Sequence, residues 1–301
     1  MKRIFTILYG LLILTPLFAQ DDLMKELEQS ENRDTDYAFQ TFKGTRLVNG
    51  HSVETKAKKN LEFIFAHRFG AVNGGWYEMF GLDEAYVRIG LDYGITDNLS
   101  VSIGRNSFDK TLDGYAKYKL IKQSKGLINF PLTITALGSI AYKTSPKKLS
   151  SGTTNVDRIA YVGQLLLARK FSPNVSFQIM PTLVHKNAVD QVLENNDQLA
   201  LGIGGRIKIT KSVALTGEYY YRINEDPKDA PANIDSTNPY NNTLGFGIDI
   251  ETGGHVFQLV MTNTRGLTER SFITETDGDF ADGDIHFGFN VTRTFQLKGK
   301  K

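Results

Sequence analysis

At 301 residues, 41% apolar and 23% charged, the chain is long enough for one large domain, and its lack of cysteine excludes disulfides, thiolate metal sites and a lipid-modified N-terminal cysteine. The 35 basic and 33 acidic residues give a formal +2, and Lys2 and Arg3 account for that excess. Without these two the charge is balanced, which removes any electrostatic case for binding nucleic acid.

Residues 1–19 read as a signal peptide. Lys2 and Arg3 precede an apolar run over 4–18, and the small residue Ala19 comes before Gln20, Asp21 and Asp22. The run is too short for a comfortable helical span, so export and cleavage after Ala19 are expected. Residues 20–60 form a second, periplasmic segment. Leu23, Met24 and Leu27 recur at helical spacing among acids, which predicts a short amphipathic helix over 21–30. Residues 45–53 predict a brief strand or hairpin around Asn49-Gly50, a favoured two-residue turn. This segment offers a surface for a periplasmic partner through residues 21–60, or a plug for whatever follows it.

From 61 to 301 the chain alternates apolar and polar residues. In 84–93, Ala85, Val87, Ile89, Leu91 and Tyr93 share one face, and Glu84, Tyr86, Arg88, Gly90 and Asp92 share the other. Period two means a strand with unlike faces. Twelve such strands are predicted at 61–69, 84–93, 99–105, 114–121, 131–142, 157–169, 175–185, 197–209, 213–223, 241–250, 255–263 and 284–297. Most reach the ~9–11 residues of a tilted membrane strand. Their connections alternate between short turns (such as 94–98 and 251–254) and longer loops (such as 224–240 and 264–283), as in an up-and-down transmembrane β-barrel. The fold class is therefore all-β: an antiparallel barrel of about twelve strands with a short N-terminal periplasmic helix. Its surroundings are outer-membrane lipid. The aromatic-rich last strand fits this reading, although a basic tail, 298–301, follows it.

Parity divides the strand residues into two sets. Leu199, Leu201, Ile203, Ile207, Leu215, Tyr219, Phe246 and Ile248 face lipid. The inward set carries most strand charges: Arg68, Glu84, Arg88, Asp92, Lys117, Lys119, Arg158, Arg206, Lys208, Glu218, Arg222 and Asp249. A Lys or Arg facing lipid would cost about 2–4 kcal/mol at the midplane, which explains the segregation. Arg105 and Arg293 break parity, at the headgroup level or beside a bulge. The inward charges serve either a paired network that closes the lumen or a narrow polar pore whose basic excess favours anions.

Few residues suggest other chemistry. Asp277, Asp279 and Asp282, near Gly278 and Gly283, are the candidates for a calcium loop, but their spacing is not that of a helix-flanked site. The acids of the 224–240 loop read as surface. None of the five histidines pair at metal-ligand spacing. A lipase-like site needs serine and histidine together on the lipid face, yet Ser100, Ser102, Ser139 and Ser176 point inward. Gly202–Gly205 reads as strand glycines easing curvature. No enzyme activity and no cofactor are predicted.

Several stretches are distinctive: Phe80-Gly-Leu-Asp, Arg88-Ile-Gly-Leu-Asp-Tyr-Gly-Ile-Thr-Asp-Asn-Leu-Ser, Ile103-Gly-Arg-Asn-Ser-Phe-Asp-Lys, Gly217-Glu-Tyr-Tyr-Tyr-Arg, Asp249-Ile-Glu-Thr-Gly-Gly-His-Val-Phe-Gln-Leu and Gly283-Asp-Ile-His-Phe-Gly-Phe-Asn-Val. Together they resemble a family of outer-membrane β-barrels from Bacteroidota catalogued as a domain of unknown function, over about residues 37–297. The resemblance implies a membrane barrel in a Gram-negative host and brings no catalytic residues. The expected function is passage of small polar or anionic solutes through a narrow or gated pore. The alternative is a closed barrel that anchors a periplasmic or surface partner.

Overall fold

A computed structural model of the chain describes residues 34–145, 154–190, 194–223 and 240–297. The signal segment, the helix expected at 21–30, the acids of 224–239 and the tail at 298–301 lie outside the described residues.

The chain divides into two compact units. The smaller comprises residues 1–38 and 122–131. Its described part is a two-stranded antiparallel sheet of β1 (Thr35–Tyr37) and β6 (Ser124–Gly126).

The larger unit is a closed antiparallel barrel of twelve strands. Its strands are β2 (Asn60–Ala71), β3 (Ala85–Gly94), β4 (Leu99–Asn106), β5 (Thr111–Ile121), β7 (Thr133–Lys143), β8 (Ile159–Lys170), β9 (Val175–Lys186), β10 (Asp197–Lys208), β11 (Val213–Arg222), β12 (Thr243–Thr252), β13 (His255–Thr262) and β14 (His286–Gln296). Each pairs with its neighbours in chain order, and β14 pairs with β2 to close the ring. Closure leaves no unpaired edge, the only way a sheet can cross a membrane without stranding its backbone polar groups. All twelve expected strands are present, with ends shifted by three residues or fewer.

The two faces follow parity. Leu199, Leu201, Ile203, Leu215, Phe246, Ile248 and Leu259 are exposed on the outside, while Gln198, Ala200, Thr216, Glu218, Asp249 and Gln258 are buried inside. Arg105 lies on the outside at the end of β4, bonded to the Lys110 carbonyl at 3.1 Å. Arg293, near the end of β14, lies over the Phe295 ring at 4.8 Å. Both are placed where long side chains can reach polar surroundings.

The lumen is occupied by the chain itself. Residues 42–54 lie inside the barrel and bond to inward side chains of β2, β5, β7, β9, β11, β13 and β14. A second insertion comes from the loop between β13 and β14. Its helix α1 (Glu269–Thr274) is buried along its whole length. Leu267, Phe272 and Ile273 are the apolar residues of that loop that drive it inward.

If the outer wall faces lipid as parity requires, replacing a central outward residue with a charge should destabilise the barrel. Ile248→Arg, opposite Leu215 and Leu259 in the ladder, is expected to lower folding stability in lipid vesicles by about 2–4 kcal/mol, measured by urea titration. An unchanged midpoint would contradict that outward placement.

Candidate functional site

The plug turns on a tight loop. Arg46 pairs with His51, Leu47 N–H donates to the Gly50 carbonyl at 2.8 Å, and Ser52 N–H donates to the Thr45 carbonyl at 3.0 Å. The loop residues are thus Val48 and Asn49, one position before the expected Asn49-Gly50 turn. A type I′ turn needs positive φ at its central residues, and no residue of this loop has it. Gly50 is required for another reason. A Cβ there would come within 2.0 Å of the Tyr220 hydroxyl.

Three consecutive backbone N–H groups of this loop converge on one carboxylate. Val48, Asn49 and Gly50 donate to Glu218 at 3.1, 2.7 and 3.0 Å. Successive amides of this kind form a concave nest for an anion, and bonds to an ionised acceptor are stronger than neutral ones. Glu218 is buried on β11, so without those donors its charge would be stranded.

Other wall residues also grip the plug, mostly through its main chain. Lys117 donates to the carbonyls of Thr45, Ser52 and Glu54 at 3.0, 3.2 and 2.8 Å. Gln178 accepts from Val53 N–H at 2.8 Å and donates to the His51 carbonyl at 2.7 Å. Thr135 donates to the Val53 carbonyl at 2.9 Å and Asn290 to the Val48 carbonyl at 3.0 Å. Gln258 donates to the Leu47 carbonyl. Arg68 reaches Asn49 Oδ1 at 2.9 Å.

The plug meets α1 at a buried charge cluster. Arg46 Nη1 lies 3.0 Å from Glu269 Oε1, and His51 Nε2 approaches the same oxygen at 2.7 Å. The Tyr115 ring packs edge-on against His51 at 4.4 Å between centroids. Burial, reinforced by the neighbouring Arg46 charge, lowers the His51 pKa to about 3 despite Glu269. Burial alone would raise Glu269, but the Arg46 charge and the hydrogen bond from neutral His51 hold the carboxyl below its usual range. Beside this cluster the lumen is apolar. Phe42, Leu47 and Val53 of the plug pack with Val162, Leu166, Met180, Tyr220, Phe272 and Ile273.

The structure places the expected lumen residues unevenly. Arg68, Arg88, Asp92, Lys117, Glu218, Arg222 and Asp249 are buried. Arg88 pairs with Asp113 through Nε at 3.1 Å, and Arg206 with Asp249 at 3.4 Å and Glu251 at 2.5 Å. Lys119 reaches Glu54 of the plug at 3.2 Å, and Asp92 accepts a bond from Tyr115. Lys208 is half-buried at the end of β10. Arg222 donates to the Tyr240 carbonyl near the mouth. Two residues fall outside the strands. Glu84 is exposed just before β3, where Tyr86 donates to it at 2.7 Å, and Arg158 closes a short 3-10 turn and donates to the Ser145 carbonyl at 2.5 Å. Both strands begin later than expected, so parity does not extend to them.

Asp277 pairs with Arg265, and Asp279 accepts from Ala281 N–H at 2.8 Å, ordinary loop bonds. Among the described residues, no group of three or more acids or histidines is gathered for a metal, Asp282 included. Gly202 and Gly204 do more than ease curvature. A Cβ at Gly202 would strike the Tyr220 ring at 2.6 Å and one at Gly204 would strike Leu47 Cδ1 at 2.5 Å, so Gly202 makes room for Tyr220 and Gly204 for the plug.

Parity alone missed Asp113, Glu54 and Glu269. Asp113 fell one residue before the expected strand. Glu269 lies between Leu267 and the apolar pair Phe272-Ile273 in a mostly polar loop, which was its one available signal.

The model of a family described as a membrane bound beta barrel domain (DUF5777) matches residues 42–295. The chain belongs to that family. The match begins within the plug, so the family's domain includes the occluding segment as well as the wall. A comparison with curated proteins gave no match. Among solved structures, the NanC porin aligns at 10% identity, covering 79% of this chain and 100% of its own, with a TM-score of 0.48. The KdgM porin aligns at 9% identity over 78% and 99%, with a TM-score of 0.46. An outer membrane channel from Pseudomonas putida F1 aligns at 11% over 80% and 96%, with a TM-score of 0.48.

The His51–Glu269 cluster makes plug docking depend on pH. An undocked His51 takes up a proton near pH 6.5 that the docked residue refuses down to about pH 3. Docking stability therefore falls as pH drops through 6.5, by at most about 1.4 kcal/mol per unit. The depressed Glu269 adds to the loss below the ordinary carboxylate range. Cleavage within 42–54 by an acid-active protease should increase relative to one neutral control site between pH 7 and pH 4. Unchanged relative cleavage would contradict the assignment.

Proposed function

We propose that this membrane barrel is a plugged channel of a bacterial outer membrane, opened by displacement of residues 42–54. One observation carries the reading. Several inward polar side chains near the barrel's centre bond to the plug's main chain and not to one another. Glu218, Lys117, Gln178 and Thr135 all complete their bonds through the 45–54 segment. A barrel meant only to be solid could fill its lumen with wall side chains and needs no inserted chain. With the plug withdrawn, the same groups would face water and line a polar passage.

The solute would be small and polar. A lean toward anions rests on Arg68 and Lys117, whose bonds go to neutral oxygens. The other central arginines are neutralised, Arg88 by Asp113 and Arg206 by Asp249 and Glu251. The site assembles no nucleophile with its base, so the reading is non-enzymatic. The signal-peptide reading of residues 1–19 supports an outer-membrane location, with the plug entering from the periplasm.

A second reading has its own support. The apolar packing of Phe42, Leu47 and Val53 against Met180, Tyr220 and Phe272 resembles a permanent core. In that case the barrel is a closed anchor for a periplasmic or surface partner.

Planar-bilayer recording separates the two. A Cβ added at Gly245 would lie 3.1 Å from Val48 Cγ1, so Val48→Cys with Gly245→Cys can tether plug to wall in a chain otherwise free of cysteine. The oxidised pair should remain silent, the reduced pair should open intermittently, and a variant lacking 42–54 should conduct steadily. Silence from both the reduced pair and the deletion, in protein that has inserted and resists heat unfolding, would establish the closed anchor.

A further inference from the structure

Three arginines from three separate segments line one small chamber beside the plug. Arg46 comes from the hairpin, Arg68 from β2 and Arg88 from β3. The chamber measures about 40 Å³, and Asn49, Gln258 and Asn290 complete its polar lining. A single water needs about 10–15 Å³ of such space, so the chamber has room for a small ion.

The guanidiniums are not used up by the bonds already described. Arg46 commits Nη1 to Glu269 and the Asn49 carbonyl, and its Nε and Nη2 are buried without a partner. Arg68 commits Nη1 and Nη2 to neutral oxygens of His67, Asn290, Asn49 and Val48, and its Nε has no partner. Arg88 commits Nε and Nη2 to Asp113, and its Nη1 has no partner. Four donor-bearing nitrogens on three buried cations are thus unsatisfied in one region. Buried donors are nearly always paired, and an orphan on a charged group is costly. Arg46 and Arg88 each have a carboxylate partner, Glu269 and Asp113, but Arg68 has only neutral ones, and the charge of Arg46 opposes those of both Arg68 and Arg88. One acid borders the chamber, Asp249, and it is already engaged by Arg206 and Gln258.

We propose that this chamber binds a small monovalent anion of halide size, held between the hairpin arginine and the two wall arginines. An anion answers both features at once, because it accepts from the free N–H groups and offsets the mutual repulsion. A water would accept one or two bonds and leave the charges opposed. Arg46 arrives with the plug, so the site is complete only in the closed state. The bound anion therefore ties the hairpin to the wall at a point distinct from Glu218. Glycines leave room for the two wall arginines. A Cβ at Gly90 or Gly104 would strike the Arg88 guanidinium at 2.7 and 2.5 Å, and one at Gly288 would strike Arg68 Cδ at 2.8 Å.

The inference does not depend on whether the plug opens, and its test needs no conductance. Crystals of the full-length protein grown in sodium bromide should show an anomalous bromide peak within about 3.5 Å of Arg46, Arg68 and Arg88 nitrogens, a hydrogen-bonding distance for a large anion. In solution, replacing gluconate with chloride at constant ionic strength should raise the melting temperature saturably by roughly 2–4 °C. Arg68→Met should abolish that rise while leaving a folded barrel. If Arg68→Met does not fold, the bromide peak in the wild-type protein decides alone. Ordered water without bromide in the chamber, or a chloride effect equal to that of gluconate, would overturn the proposal.

Discussion

One carboxylate fixes the position of the inserted chain. Glu218 receives three successive amides from the hairpin tip, and among the described residues no other wall side chain takes as many bonds from so short a stretch. The arrangement is reciprocal. A buried carboxylate demands donors, and a tight loop in a lumen leaves amides that no strand can satisfy. Each group removes the other's desolvation penalty. The surrounding features follow from that anchor. Tyr220 lies against Gly50, Leu47 is seated over Gly204, and Val48 packs beside Gly245. Three wall or loop glycines thus lie where the tip and its neighbours need the space of a missing side chain.

The forces on the two sides of the plug are of different kinds but similar size. A hydrogen bond exchanged for one to water contributes about 0.5–1.5 kcal/mol net, and one to a charged group about 1.5–3. Burying a Phe, Leu or Val contributes about 1.5–3 kcal/mol. Phe42, Leu47 and Val53 therefore hold the plug about as strongly as several of its polar anchors. The polar anchors keep most of their bonding if water replaces the plug, whereas the apolar contacts have no substitute. The apolar half, backed by Phe272 and Ile273 of α1, is thus the part that resists withdrawal. The polar half defines where the plug returns.

The wall was legible in the sequence because membrane strands repeat with period two. A lipid-facing charge is costly at every turn of that repeat, so faces could be separated before any contact was known. The plug was only partly legible. It bonds through main-chain groups, which every residue carries, so Thr45, His51 and Val53 give no pattern that distinguishes a gripped segment from a loop. Ionic partners were hidden for a related reason. Arg88 finds Asp113 on a strand two places away, and Arg46 finds Glu269 more than two hundred residues along the chain. Parity indicates which way a side chain points and carries no information about what it meets. An apparent basic excess in the lumen was the result, since Glu54, Asp113 and Glu269 lay in segments assigned to turns or loops.

Hydrogen exchange of the hairpin amides, in full-length protein held in lipid vesicles, tests the central claim most directly. If Glu218 anchors the plug, the amides of Val48, Asn49 and Gly50 exchange slowly, at rates approaching those of β11. In Glu218→Ala the same three amides should exchange at least about tenfold faster while β11 stays protected, since even the lower end of a charged hydrogen bond's worth corresponds to that factor. Exchange of all three at open-loop rates in the wild-type protein, or protection unchanged by the substitution, would contradict the account.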